Sequence, residues 1–68
     1  DWVTPTHDFL NARGLMGEGC IDNRGIRQLV EATGFDGPIE VEIFSDHHWA
    51  SDQDEYLEKI ITAYRKNV

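Results

Sequence analysis

The most constraining feature of this sequence is residues 37–44, which read Gly-Pro-Ile-Glu-Val-Glu-Ile-Phe. After a Gly-Pro turn, β-branched residues alternate with glutamates, and this period of two predicts a β-strand. Its two faces would carry Ile39, Val41 and Ile43 on one side and Glu40, Glu42 and Phe44 on the other. One strand does not make a sheet, so the pattern also predicts neighbours: either further polypeptide or a second copy.

The two glutamates of this predicted strand allow two interpretations. On an edge strand that faces water, Glu40 and Glu42 are an ordinary exposed polar face. Inside a cleft, a carboxylate needs a metal ion or a catalytic duty to offset its lost hydration. The strand alone does not decide between them.

Two helices are predicted to flank the strand. Asp22 is placed to cap a helix with a short apolar stripe, and Gly34 is placed to end it. A second helix begins near Ser51 or Asp52, and its apolar side chains recur at helical spacing. The two predicted stripes are Ile26, Leu29, Val30 and Thr33 in the first helix, and Leu57, Ile60, Ile61, Tyr64 and Val68 in the second.

The remaining segments are predicted to be loops. Residues 1–19 contain Pro5 and three glycines without sustained periodicity, and residues 45–51 form a second polar stretch. The predicted order is therefore loop, helix, strand, helix, which is typical of α/β proteins. The opening Asp1-Trp2, without an initiating methionine, has the character of the middle of a longer protein.

Composition excludes several classes of function. Thirteen acidic and six scattered basic residues give a formal charge of −7, which disfavours nucleic-acid partners and anionic membranes. No apolar run is long enough to span a membrane. The single cysteine, Cys20, excludes an internal disulfide, which favours a reducing, cytoplasmic setting in which Cys20 is a small apolar filler.

An ordered set of motifs carries a resemblance over nearly the whole chain. Residues 13–22 read Arg-Gly-Leu-Met-Gly-Glu-Gly-Cys-Ile-Asp, and residues 34–44 read Gly-Phe-Asp-Gly-Pro-Ile-Glu-Val-Glu-Ile-Phe. An arginine before Gly-x-Gly, an Ile-Asp that opens a helix, then Gly-Phe-x-Gly and a strand with Val-Glu resembles the C-terminal end of the xylose-isomerase-like sugar phosphate isomerase/epimerase family. Each motif is weak alone, and the order and spacing make the set specific.

The resemblance implies that residues 1–68 are the last quarter of a (β/α)₈ TIM barrel with its active site at the C-terminal ends of the strands. It also implies a divalent ion (Mn, Mg, Zn or Co) with Glu42 as one ligand, the other ligands lying outside this chain. Glu42 would also transfer a proton next to a carbonyl, and Arg13 would bind a small sugar-like substrate.

Several polar residues stay outside this scheme. His7 is predicted to be a surface histidine, and a solvated loop arginine is the alternative for Arg13. His47 and His48 are adjacent, so on an extended chain they would point apart and would not bind one ion together. Either of them, or Trp49, is a candidate for lining the site, with plain packing as the alternative.

Two further hypotheses remain open at the level of sequence. A cyclitol or keto-sugar dehydratase would use the same enolate chemistry on the same fold. A non-catalytic fragment that self-associates through exposed helix faces and strand edges is the alternative from another class. In either case we expect the 68 residues alone to be inactive, and the partners to be a homo-oligomer or the remainder of the barrel.

Overall fold

The computed structural model describes all residues 1–68, and its regular structure is entirely helical. The helices are α1 (Asn23–Ala32), α2 (Asp46–Trp49) and α3 (Gln53–Asn67). An isolated antiparallel bridge between Ala12 and Ser45 is the only β-pairing. The predicted strand at residues 39–44 is therefore wrong, and so is the predicted α/β fold class as the last quarter of a TIM barrel. The chain forms a small helical domain.

The physical reason for this correction lies in the backbone of residues 35–43. None of its N–H or C=O groups forms a hydrogen bond within the chain. An alternating pattern becomes a strand only when a neighbour supplies hydrogen-bonding partners along its length, and the chain has no such neighbour. Residues 39–44 thus carry a strand-like sequence without strand pairing.

Helix α1 confirms the predicted capping. The Asp22 carboxylate accepts a hydrogen bond of 3.0 Å from the Gly25 amide, and Gly34 ends the helix with a φ of +92°. The predicted apolar stripe is present but unburied, because no residue of α1 is buried. The apolar face of α1 therefore has no partner in the chain.

Helix α2 lies where a polar loop was predicted, so that prediction is wrong. Ser45 is its N-cap, and the Ser45 hydroxyl accepts a hydrogen bond of 3.2 Å from the His48 amide. A serine three residues before the bonded amide is an ordinary capping signal that sequence reasoning missed.

Of the two residues predicted to begin helix α3, Ser51 and Asp52, the N-cap is Asp52, whose carboxylate accepts a hydrogen bond of 3.0 Å from the Glu55 amide. Its buried face differs from the predicted stripe: Tyr56 is buried, whereas Leu57 and Ile61 are 56% and 40% exposed. Ile60, Tyr64 and Val68 of the predicted stripe do pack against the core, so the inward face overlaps that stripe and extends to Tyr56 and Ala63. None of the three helices is both long and apolar enough to cross a bilayer.

The core is small and joins the N-terminal loop to α3. It consists of Leu15, Met16, Ile43 and Tyr56, with Ile60, Ala63, Tyr64 and Val68 packed against it. Only 7 of 68 residues are buried, in a body of 37 × 27 × 17 Å. Because two core residues come from the loop, the loop is part of the stable structure. Cys20, predicted to fill apolar space, is exposed.

Candidate functional site

Arg13 is held in place by uncharged partners. Its Nε and Nη2 donate to the Phe9 carbonyl at 3.1 and 2.9 Å, and its guanidinium carbon lies 4.7 Å from the centre of the Trp2 ring. Trp2 in turn stacks on Phe9, with ring centres 6.0 Å apart. Arg13 forms no ion pair, since Arg27 with Glu31 is the one ion pair of the chain. Its charge is therefore oriented but not neutralised by a carboxylate.

The turn before Arg13 is built by Asp8. The Asp8 carboxylate accepts hydrogen bonds from the amides of Leu10 at 2.8 Å and Asn11 at 2.9 Å. The hydrogen bond from Asn11, followed by that from Leu10, lowers the pKa of Asp8 below its ordinary value. This turn carries the chain from Phe9 back to Arg13, so that the Arg13 guanidinium reaches the Phe9 carbonyl.

Two hydrogen bonds join the Arg13 loop to the segment that carries Glu42. The Arg13 amide donates to the Phe44 carbonyl at 3.0 Å, and the Asp46 amide donates to the Asn11 carbonyl at 2.9 Å. Glu42 lies two residues before Phe44. The backbone segments that carry the two predicted site residues are thus joined, although they are far apart in sequence.

The side chain of Arg13 borders a polar cleft of about 250 Å³ that the sequence did not predict as a unit. Only two of the twelve residues around it are hydrophobic. The ionisable and amide side chains at this cleft are His7, Asn11, Arg13, Glu18, His47 and His48. His7, predicted to be a surface histidine, is exposed and also borders the cleft.

Helix α2 explains why His47 and His48 border the same cleft. Adjacent residues point to opposite sides of an extended chain, whereas on a helix they are only about 100° apart. The two imidazole centres lie 5.0 Å apart, and the buried His48 ring stacks on Tyr56 at 4.8 Å. Burial, and then the neighbouring His47, lowers the pKa of His48. A neutral His48 is therefore favoured at neutral pH.

Trp49, the other candidate for lining the site, packs on Phe44. Their rings meet edge to face with centres 5.8 Å apart, and Trp49 is 48% exposed. Trp49 does not border the polar cleft. Of its two interpretations, the structure favours packing.

Glu42 is exposed and unpartnered. Its carboxylate takes part in none of the hydrogen bonds or ion pairs of the chain. It borders a second, largely apolar cleft of about 310 Å³, together with Glu40. Ile43 is buried and Glu42 is exposed, which fits the predicted alternation. Ile39 and Val41 were predicted to share the face of Ile43, but both are exposed. Glu42 and Arg13 thus border different clefts.

The 68 residues do not fit a divalent ion on their own. Nowhere do three or more histidine, cysteine, aspartate or glutamate side chains converge on a position that could hold a metal ion. Mg²⁺ and similar cations need about six donor atoms, and the exposed carboxylate of Glu42 supplies at most two. Any ion bound through Glu42 therefore requires donors from outside this chain.

The structure is closely similar to part of a larger solved protein. Protein SMc04130 from Sinorhizobium meliloti 1021 matches 98% of this chain, with 48% identity and a TM-score of 0.91. The chain spans about a quarter of that protein. The match covers 25% of the solved chain. No protein-family model and no curated protein matches the sequence.

Proposed function

We propose that this chain serves a metal-dependent isomerase or epimerase that acts on a sugar or sugar phosphate. Arg13 contributes to substrate binding, and Glu42 transfers a proton next to a carbonyl. Glu42 is also one ligand of a divalent ion (Mn, Mg, Zn or Co). The motif resemblance of residues 13–22 and 34–44 supports this proposal. The observation that carries it is the unneutralised, rigidly held guanidinium of Arg13 beside a cleft.

Arg13 is suited to binding an anionic or hydroxyl-rich ligand. A guanidinium has five N–H donors. Two of them are used on the Phe9 carbonyl, which leaves three for a ligand. The cation–π contact with Trp2 fixes the plane of the group, so that little side-chain entropy is lost when a carboxylate, phosphate or hydroxyl binds.

Glu42 is suited to proton transfer because nothing in the chain occupies its oxygens. An ionised carboxylate removes a proton next to a carbonyl when it is desolvated and placed within hydrogen-bond distance of that proton. The exposed position of Glu42 means that desolvation must come from further polypeptide or from the substrate. For the same reason we propose that the isolated 68 residues are inactive. The exposed free thiol of Cys20 is compatible with the reducing cytoplasm in which we place this activity.

The test uses a chimera in which this chain replaces the matching quarter of the Sinorhizobium meliloti protein. The chimera, the parent protein and the isolated chain are each incubated with Mn²⁺ and a panel of keto sugars and their phosphates in deuterated water. NMR then measures deuterium incorporation next to the carbonyl. We expect exchange with the parent and the chimera only. Loss of water from the substrate without epimerisation would indicate the dehydratase instead.

Two variants of the chimera assign the residues. We expect Glu42→Gln to lower the exchange rate about 10²- to 10⁴-fold, the usual contribution of a positioned acid or base. We expect Arg13→Ala to raise KM about tenfold or more, because it removes a charge-assisted contact. Glu40→Gln is the matched control and should change neither the exchange rate nor KM. Full exchange in Glu42→Gln would contradict the assignment.

A further inference from the structure

The largely apolar cleft leaves exposed several side chains that a folded protein normally buries. It lies between α1, residues 39–43 and the end of α3, and it has a volume of about 310 Å³. Its apolar walls include Ile26, Val30, Val41, Tyr64 and Val68. Ile26 and Val30 are 54% and 43% exposed, although they form the stripe that a helix normally buries.

The same cleft is bordered by unpaired backbone. Residues 35–43 form no hydrogen bond with any other part of the chain, and five consecutive residues among them, 39–43, alternate apolar and acidic side chains. A segment with free N–H and C=O groups and an alternating sequence is a template for pairing with added polypeptide. An apolar helix face and an unpaired segment thus form one continuous surface.

The solved neighbour suggests an occupant for this surface, because this chain matches only 25% of it. The matching part of the neighbour, a protein about four times as long, follows a similar backbone path, with a TM-score of 0.91 over 98% of this chain. Within the 68 residues, no backbone hydrogen bond holds residues 35–43 on that path. We propose that the face of α1 and residues 35–43 dock polypeptide that corresponds to the other three quarters of the neighbour, through backbone pairing and apolar burial.

Charge argues against a second copy as the occupant. The rim of the cleft carries Glu31, Glu40 and Glu42 against one basic side chain, Arg27. The chain as a whole has a formal charge of −7. Two copies facing each other would bring these carboxylates together, and like charges in an interface oppose association. The occupant therefore presents basic or neutral groups to the rim.

Amide hydrogen exchange tests this docking directly and does not depend on catalysis. The isolated chain at low concentration is compared with the chimera in which it replaces the matching quarter of the Sinorhizobium meliloti protein. We expect the amides of residues 35–43 to exchange unprotected in the isolated chain. In the chimera we expect them to be protected at least about a hundredfold, as for paired backbone in a folded protein.

Variants separate the docking surface from general stability. Val41→Asp in the chimera should abolish protection of residues 35–43 or unfold the protein. The control Leu10→Asp changes an exposed apolar residue outside the cleft, 57% exposed against 38% for Val41, and should leave protection unchanged.

Several results would overturn the proposal. One is protection of these amides in the isolated monomer, and another is their exposure in the chimera. Protection that appears with dimerisation of the isolated chain would make a second copy the occupant. A chimera that does not fold, or Leu10→Asp acting like Val41→Asp, would also contradict it.

Discussion

The carboxylate of Asp1 organises the loop that supplies half of the core. It accepts hydrogen bonds from the amides of Trp2, Gly17, Gly19 and Ile21 at 2.7 to 3.0 Å. A loop without regular structure leaves its amides without ladder partners, and one carboxylate here satisfies four of them. This explains how a glycine-rich segment keeps a defined path.

Asp1→Ala should therefore destabilise the chain. We expect a loss of about 2 kcal/mol in the free energy of unfolding, since several charge-assisted hydrogen bonds disappear together. Urea denaturation measures the loss, and faster exchange of the Gly17 and Gly19 amides locates it. Asp36→Ala, at an exposed position with no hydrogen bond to its side chain, is the control. Equal stability of the two variants would contradict this role.

His48 makes stability depend on pH. Its folded-state pKa lies below the ordinary value of 6.5, so the unfolded chain takes up a proton first as the pH falls. The stability is fully present above pH 6.5 and is lost as the pH falls from there through the lower, folded-state pKa. Urea denaturation at about pH 8 and about pH 5 measures this loss.

Two histidine variants provide the comparison. His48→Phe keeps a ring against Tyr56 and should reduce the pH dependence, whereas His7→Phe should retain it. If His48→Phe loses as much stability between the two pH values as the unsubstituted 68-residue chain does, the pH dependence comes from other groups.

At the scale of elements, a helix end is decided by residues nearby in sequence, whereas the face that a helix buries depends on residues distant in sequence. The caps of α1 and α3 are decided by an aspartate and an amide three residues later, both visible in the sequence. The face that α3 buries depends on where the loop residues Leu15 and Met16 lie. For this reason the predicted helix boundary was correct within two residues, while the predicted stripe was correct at Ile60, Tyr64 and Val68 and wrong at Leu57 and Ile61.

Removing the cap of α3 should destabilise it. Asp52→Ala leaves the Glu55 amide without its partner and is expected to cost about 1 kcal/mol of unfolding free energy. Thermal denaturation followed by circular dichroism measures the change. Asp52→Ser keeps a capping oxygen and should recover most of the loss. Equal stability of Asp52→Ala and Asp52→Ser would show that the cap does not contribute to the free energy of unfolding.

At the scale of the whole molecule, the chain has one free carboxylate at the predicted metal position and no converging set of ligands. We expect the isolated 68 residues to bind Mn²⁺ no more tightly than about millimolar, because one carboxylate does not make a site. Isothermal titration calorimetry with Mn²⁺ measures this, and Glu42→Gln should give the same weak signal. Micromolar binding that Glu42→Gln removes would contradict the expectation.

The sequence by itself determined both long helices and the aspartates placed to cap them, because these depend on side chains within a few positions of one another. Only the tertiary structure decided the fate of residues 39–44 and the grouping of the candidate site. It left the alternating segment unpaired, set Arg13 and Glu42 beside different clefts, and placed His47 and His48 with Arg13. Strand pairing and cleft formation require partners distant in sequence, and a local pattern does not specify whether those partners are present.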